Sequence, residues 1–214
     1  MLCDVIAGAI IKRKSQGAHY GVVVLAEGLI EAIGEEELTR VLGDRLPRYG
    51  KLRRDEFGHL KLGDIEFGRL IIDLLSERLE ELQVTTRFIY KVLGYELRCA
   101  DPIPFDAEYT RDLGYGAVKY LRSDEAGRSG AVISFDEGAM KPLPFGELIN
   151  PATKRFPTRF VDVHGETYEC ACRYMIRLEK GDFENARQLA ELADECGLTP
   201  EQFRARFGKV VGLP

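Results

Sequence analysis

Two runs of apolar, β-branched residues constrain the fold of this chain more than anything else in it. "GVVVLAEG" (Gly21 to Gly28) is apolar without interruption from Val22 to Ala26. "VTTRFIYKVL" (Val84 to Leu93) is dense in β-branched and aromatic side chains. A short apolar run bounded by glycine and lacking helical spacing reads as a strand buried on both faces of a parallel sheet. "GAVISFDEG" (Gly130 to Gly138) reads as a further buried strand.

Helical spacing flanks these runs. "LCDVIAGAIIKRKSQG" places Val5, Ile6, Ala9 and Ile10 on one face, and Gly17 supplies a stop. Its Lys12 to Lys14 cluster falls in the last turn, where cations complement the helix dipole. "LIEAIGEEELTRVL" resumes the helical period after Gly28. "DIEFGRLIIDLLSERLEELQ" predicts a long helix capped by Asp64, with Phe67, Leu70, Ile71, Leu74, Leu75 and Leu79 inward. "PFDAEYTRDLGYGAVKYLRS" predicts another, capped by Asp106. Helix, buried strand and helix in alternation predict an α/β fold.

The remaining segments are less regular. Between Pro47 and Gly63 the chain is polar and punctuated by glycine, with a small surface hairpin expected at Asp55 to Gly58. Lys51, Arg53, Arg54 and His59 belong to that solvated face. "KPLPFGELINPATKRFPTR" is proline-rich, more a docking segment than a core element. "YECACRYMIRLEKGDFENARQLAELADECG" predicts two helices divided near Gly181 and Asp182. In "TPEQF", Thr199 as cap, Pro200 at the first helical position and Gln202 form a capping box.

The 214 residues are 45% apolar and 30% charged, the balance of an ordinary globular protein. A net charge of −5 gives no general field toward nucleic acid or an anionic membrane. No window approaches the ~18 apolar residues of a membrane span. Five cysteines at irregular spacing, with no secretory signal, point to a reducing, cytoplasmic setting. Cys170 and Cys172 lack a second pair at metal-site spacing, so with His164 they do not make a zinc motif.

The chemistry-bearing residues sit where the strand-like runs end. Parallel sheets gather ligands at the carboxyl ends of their strands. Glu27 ends the first run, and its carboxylate can accept from sugar hydroxyls or cap the helix that follows. Tyr95, Glu96 and Arg98 follow the second. Arg98 offers a planar fork suited to phosphate, and the Tyr95 hydroxyl can donate to the same anion. Arg98 can equally pair with Asp101 or Asp106. Together these groups suit a phosphorylated polyol.

"AEGLIE" (Ala26 to Glu31), "GYELRCADPIPFDAEYTRDLGYGAVKYL" (Gly94 to Leu121) and "GAVISFDEG" resemble the phosphofructokinase superfamily, most closely its bacterial pyrophosphate-dependent branch. ATP-dependent members usually carry His where Tyr95 stands and a Gly pair where this chain has Cys99 and Ala100. The resemblance runs over nearly the whole chain. It implies a three-layer, Rossmann-like parallel sheet and a substrate site for fructose 6-phosphate made by Glu27, Tyr95, Glu96, Leu97 and Arg98. Glu27 would hold sugar hydroxyls, and Tyr95 and Arg98 the 6-phosphate.

The family's other motifs are missing from the sequence. The Gly-Gly-Asp loop that cradles the phosphoryl donor, the Thr-Ile-Asp-x-Asp stretch with the general base and the Met-Gly-Arg substrate stretch do not occur. Nor does the Asp that binds Mg²⁺ in the family. The resemblance therefore implies the C-terminal half of a two-lobed enzyme, with Mg²⁺ held by the other half. Residues 1–93 would belong to the sugar-phosphate lobe, 94–165 would return to the donor lobe, and 166–214 would cross back. Phosphoryl transfer rests on positioning and charge neutralisation around the moving group. Such a half is expected to be inactive alone, to use pyrophosphate or ATP only with its complement, and to self-associate through exposed sheet edges or pair with a chain carrying the rest. An ATP-dependent enzyme, a non-catalytic sugar-phosphate-binding subunit and a functionless fragment are the alternatives.

Overall fold

The computed structural model describes residues 1–26, 28–54, 61–151 and 160–213, the side chain of Tyr95 excepted. They form two compact units, Met1–Val92 with Asp162–Pro214, and Leu93–Val161.

The first unit opens with α1 (Leu2–Ser15). Its end follows from one glycine. Gly17 takes φ +76°, its N–H donates to Lys14 O at 2.8 Å, and Ala18 N–H donates to Arg13 O at 2.9 Å. That pair of bonds satisfies carbonyls the helix would otherwise leave open. α2 (Leu29–Leu42) is broken at Gly34, where φ is +80°. A 3₁₀ turn over Gly43–Tyr49 follows, and another over Leu62–Asp64 leads to α3 (Phe67–Glu81). Asp64 is thus not the cap of the long helix. It lies in the 3₁₀ turn, and Glu66 flanks α3 with no side-chain cap bond.

The second unit begins with the short helix α4 (Gly94–Arg98), then α5 (Pro104–Leu121). Asp106 caps α5 from inside the first turn: its Oδ2 accepts the Ile103 N–H at 3.0 Å, with Ile103, not Asp106, at the flanking position. β1 (Ala131–Asp136) and β2 (Ala139–Pro144) pair antiparallel across Glu137 and Gly138. Both turn residues have positive φ, +50° and +77°, which matches the twist of the strands they join. α5 approaches this hairpin closely at Gly116, where a Cβ would lie 3.0 Å from Ile133 and 3.3 Å from Phe135. The buried Tyr120 donates its hydroxyl to Ser129 O at 2.7 Å. α6 (Phe145–Leu148) closes the described part of this unit's main run.

The chain then returns to the first unit through α7 (Glu166–Tyr174), α8 (Lys180–Glu184), α9 (Ala186–Asp194) and α10 (Pro200–Phe207). Gly181 and Asp182 lie inside α8. The helical run is divided instead at residues 175–179 and at Asn185, whose side chain caps α9 through Arg187 N and Gln188 N. The Thr199–Gln202 capping box is present: Gln202 N–H donates to Thr199 Oγ1 at 3.2 Å and Thr199 N–H to Gln202 Oε1 at 2.9 Å.

Ile6, Ala7 and Ile11 of α1 pack with Ile71, Leu75 and Leu79 of α3 and with Leu192, Phe203 and Phe207 of the C-terminal helices. Burying side chains of this size contributes about 1.5–3 kcal/mol each. A second cluster joins Ile30, Leu38 and Leu42 to Leu46, Tyr49, Ile65 and Leu70.

The molecule is therefore mixed helix and sheet, but the two long strand-like runs are not strands. Residues 21–26 and 84–93 form neither helix nor strand, and Val22, Val24 and Ile89 are 90%, 82% and 85% exposed. A strand exists only by pairing, and among the described residues the sheet is the hairpin of β1 and β2. That hairpin also corrects the reading of "GAVISFDEG" as a strand buried on both faces, since its first strand is half-buried and pairs with its neighbour in sequence. Glu27, His59 and the hairpin expected at Asp55 to Gly58 lie outside the described residues.

Candidate functional site

Tyr95, Glu96, Leu97 and Arg98 share the single turn of α4, so the corner expected to be a strand mouth is helical. The turn is closed by Leu97 N–H donating to Leu93 O at 2.9 Å. Pro104 then sets the first residue of α5, where a missing N–H costs nothing. The stiff corner of the sequence is thus a helix-to-helix junction.

Glu96, Leu97 and Arg98 are all exposed, Leu97 to 72%. The guanidinium of Arg98 folds back over Gly94. A Cβ built on Gly94 would lie 2.8 Å from Arg98 Nη1 and 3.6 Å from its Cζ. Glycine at the start of the turn therefore leaves the space the fork occupies. Asp106, one of the acids available to Arg98 in the sequence, is engaged with the Ile103 N–H. Glu27 and the side chain of Tyr95 lie outside the described residues, so the structure brings together Glu96, Leu97 and Arg98 of the five expected site residues.

Among the described residues no group of three or more His, Cys, Asp or Glu side chains gathers as a metal ligand set. Cys170 is exposed and Cys172 half-buried on α7, and His164 is exposed with its backbone N–H on Asp162 Oδ1 at 2.9 Å. Lys51, Arg53 and Arg54 are exposed as expected, with Arg54 paired to Glu35 at 2.8 Å. No described helix is long and apolar enough to cross a membrane.

Comparison with known proteins supplies what the geometry alone does not. No family model matches the chain. It is 43% identical over 211 residues to a pyrophosphate--fructose 6-phosphate 1-phosphotransferase of Naegleria fowleri, covering 98% of this chain and 46% of that protein. It is 39% identical over 213 residues to the protein of the same name from Thermotoga maritima, covering 100% of this chain and 49% of the relative. Subunit beta 2 of that enzyme from Arabidopsis thaliana is 30% identical over 161 residues, 58% of this chain and 28% of the relative. The chain spans about half the length of the first two relatives, and a C-terminal half of the phosphofructokinase superfamily fits these figures.

Proposed function

We infer, from a chain homologous along its whole length to about half of a pyrophosphate-dependent phosphofructokinase, that it supplies the sugar-phosphate half of such an enzyme. The whole enzyme moves a phosphoryl group from pyrophosphate to the 1-hydroxyl of fructose 6-phosphate, a cytoplasmic step of glycolysis. One observation carries the reading: identity of 43% and 39% is sustained over 98% and 100% of the chain, leaving no stretch of it without a counterpart.

The chemistry assigned to this half is binding. Arg98 presents two parallel N–H donors to the 6-phosphate, a geometry that an ammonium cannot reproduce. The Tyr95 hydroxyl donates to the same phosphate, and Glu27 accepts from sugar hydroxyls. Glu96 and Leu97 shape the turn that carries them. Holding the sugar by its far end orients the 1-hydroxyl, and orientation is a large share of catalysis for phosphoryl transfer. The donor cradle, the Mg²⁺ site and the general base belong to the remaining length of the enzyme, since their motifs do not occur here. In the assembled protein the chain joins a three-layer, Rossmann-like sheet, with 1–93 on the sugar side, 94–165 on the donor side and 166–214 crossing back.

A second reading, a sugar-phosphate-binding subunit without turnover, is favoured by that same absence of donor and base motifs. Both are separated by co-expressing the chain with the part of the Thermotoga maritima relative that it does not match, and assaying fructose 1,6-bisphosphate. Turnover with pyrophosphate by the pair, and none by the chain alone, is expected. A pair that binds the sugar phosphate but turns over neither donor supports the second reading. Turnover by the chain alone, or by a pair that uses only ATP, contradicts the first.

A further inference from the structure

The second unit holds a cavity of about 170 Å³, lined by residues none of which belongs to the Arg98 turn. Its apolar lining is Tyr120, Pro142 and Pro144, and its polar lining is Glu125, Arg128 and Ser129. Pockets for drug-sized ligands begin at about 300 Å³, so this one suits a molecule of only a few non-hydrogen atoms.

The lining is fixed by its own hydrogen bonds. Glu125 O accepts the N–H groups of Arg128 at 2.9 Å and of Ser129 at 3.1 Å, and Ser129 O accepts the Tyr120 hydroxyl at 2.7 Å. Phe145 N–H donates to Gly130 O at 3.0 Å, which ties the end of the same turn to the end of β2. Pro142 and Pro144 are two apart on β2 and so share one of its faces. A proline ring has almost no side-chain freedom to lose when a ligand covers it. A backbone held in this way costs little further ordering on binding.

Glu125 and Arg128 bring opposite charges to this lining from positions three apart. Among the described residues, neither side chain pairs with the other or with any further group. We propose that the cavity binds a free α-amino acid with a small apolar side chain, such as L-valine. The ligand carboxylate takes the two-pronged guanidinium of Arg128, and its ammonium takes the Glu125 carboxylate. The short side chain then covers the Tyr120 ring and the two prolines. Charge argues for this class over its neighbours: a phosphate would bring about two negative charges to Glu125, and a metal cation would meet Arg128. A zwitterion meets neither repulsion. The site uses none of the residues assigned to the sugar phosphate, so it stands or falls separately from the proposed function.

The test is titration of the whole chain with L-valine, read by backbone amide chemical shifts. Saturable shifts at residues 125–129 are expected. N-acetyl-L-valine lacks the ammonium and L-valine methyl ester lacks the carboxylate. Each is expected to bind at least about tenfold more weakly, having lost one charge-assisted hydrogen bond. Glu125→Gln is expected to erase the preference for L-valine over its N-acetyl form, and Arg128→Ala the preference over the ester. Both side chains are exposed, so neither variant disturbs packing, and unchanged shifts elsewhere in the free variants check this. No saturable shift with L-valine, binding of both derivatives as tight as that of L-valine, or variants that keep the wild-type preferences would each overturn the proposal. Binding of L-valine by a chain that does not bind fructose 6-phosphate leaves this inference standing and removes the proposed function.

Discussion

Lys12 Nζ donates to Asp182 Oδ2 at 2.8 Å, joining α1 to α8 across 170 positions of sequence in a site where the carboxylate is 4% exposed. Lys12 also donates to Arg177 O at 2.9 Å. The same carboxylate accepts from Glu179 N–H at 2.7 Å and Gln188 Nε2 at 2.6 Å. The C-terminal helices are therefore fastened to the first helix by a fully engaged buried acid. Arg204, which donates to Phe183 O, ties α10 to the same turn.

Removing one partner of such a pair leaves an uncompensated buried charge. Asp182→Ala is expected to lower unfolding stability by about 3–5 kcal/mol in urea titration. The double variant Lys12→Met with Asp182→Leu, which removes both charges, is expected to cost clearly less.

Gly50 sits where the chain bridges to Ile65, and a Cβ there would lie 2.4 Å from Asp64 O and 3.1 Å from Ile65 Cα. Both neighbours are backbone and cannot rotate away. Gly50→Ala is expected to cost about 1–3 kcal/mol by overpacking, read as a fall in Tm. Gly63→Ala, with nothing within 4 Å of its Cβ, is the matched control and is expected to change little.

The helical part of this molecule is legible in its sequence because its signals are local. The spacing of Val5, Ile6, Ala9 and Ile10 marks α1 as a helix, although the face it buries is Ile6, Ala7 and Ile11 with Val5 exposed, Gly17 ends it, and Thr199 with Gln202 opens α10. The Asp64 cap is not formed, since Asp64 lies in the 3₁₀ turn and no side chain caps α3, and Asp106 acts from inside the first turn of α5 rather than ahead of it. Strand identity is different in kind. "GVVVLA" and "RFIYKVL" have strand composition, but pairing is a property of two segments, and the described residues offer them none. The β1–β2 hairpin went unread because Glu137-Gly138 is an uncommon turn pair and Pro142 and Pro144 suggest irregular chain. Of the expected site residues, Glu96, Leu97 and Arg98 fall on one helical turn, a geometry that their residue types do not announce.

Cys196 is buried at 3% exposure, and burial pushes its thiol up to about 11. Because the folded protein holds this proton more tightly than the unfolded chain, its contribution to stability is complete below about pH 9. That contribution is expected to fall by about 1.4 kcal/mol for each pH unit from there to about 11. At pH 8 an aromatic disulfide reagent is expected to label the exposed Cys99 and Cys170 rapidly and Cys196 only after denaturation. Fast labelling of Cys196 in the native protein would contradict its placement.

Gly94 leaves the space that the Arg98 guanidinium occupies. The end of a long side chain moves at little cost, so Gly94→Ala is expected to change stability by less than about 0.5 kcal/mol. It is expected to displace the fork and weaken fructose 6-phosphate binding in the assembled enzyme, raising KM more than it lowers kcat. An unchanged KM would separate Arg98 from the substrate.

The residues that grip the sugar phosphate are proposed to lie on this chain. Calorimetric titration with fructose 6-phosphate, on the wild-type chain and on Arg98→Ala, tests it most directly. Saturable binding that Arg98→Ala weakens by about 10–100-fold is predicted, the loss of a charge-assisted phosphate contact of about 1.5–3 kcal/mol. Absence of binding to the wild-type chain, or binding that Arg98→Ala leaves untouched, would contradict it.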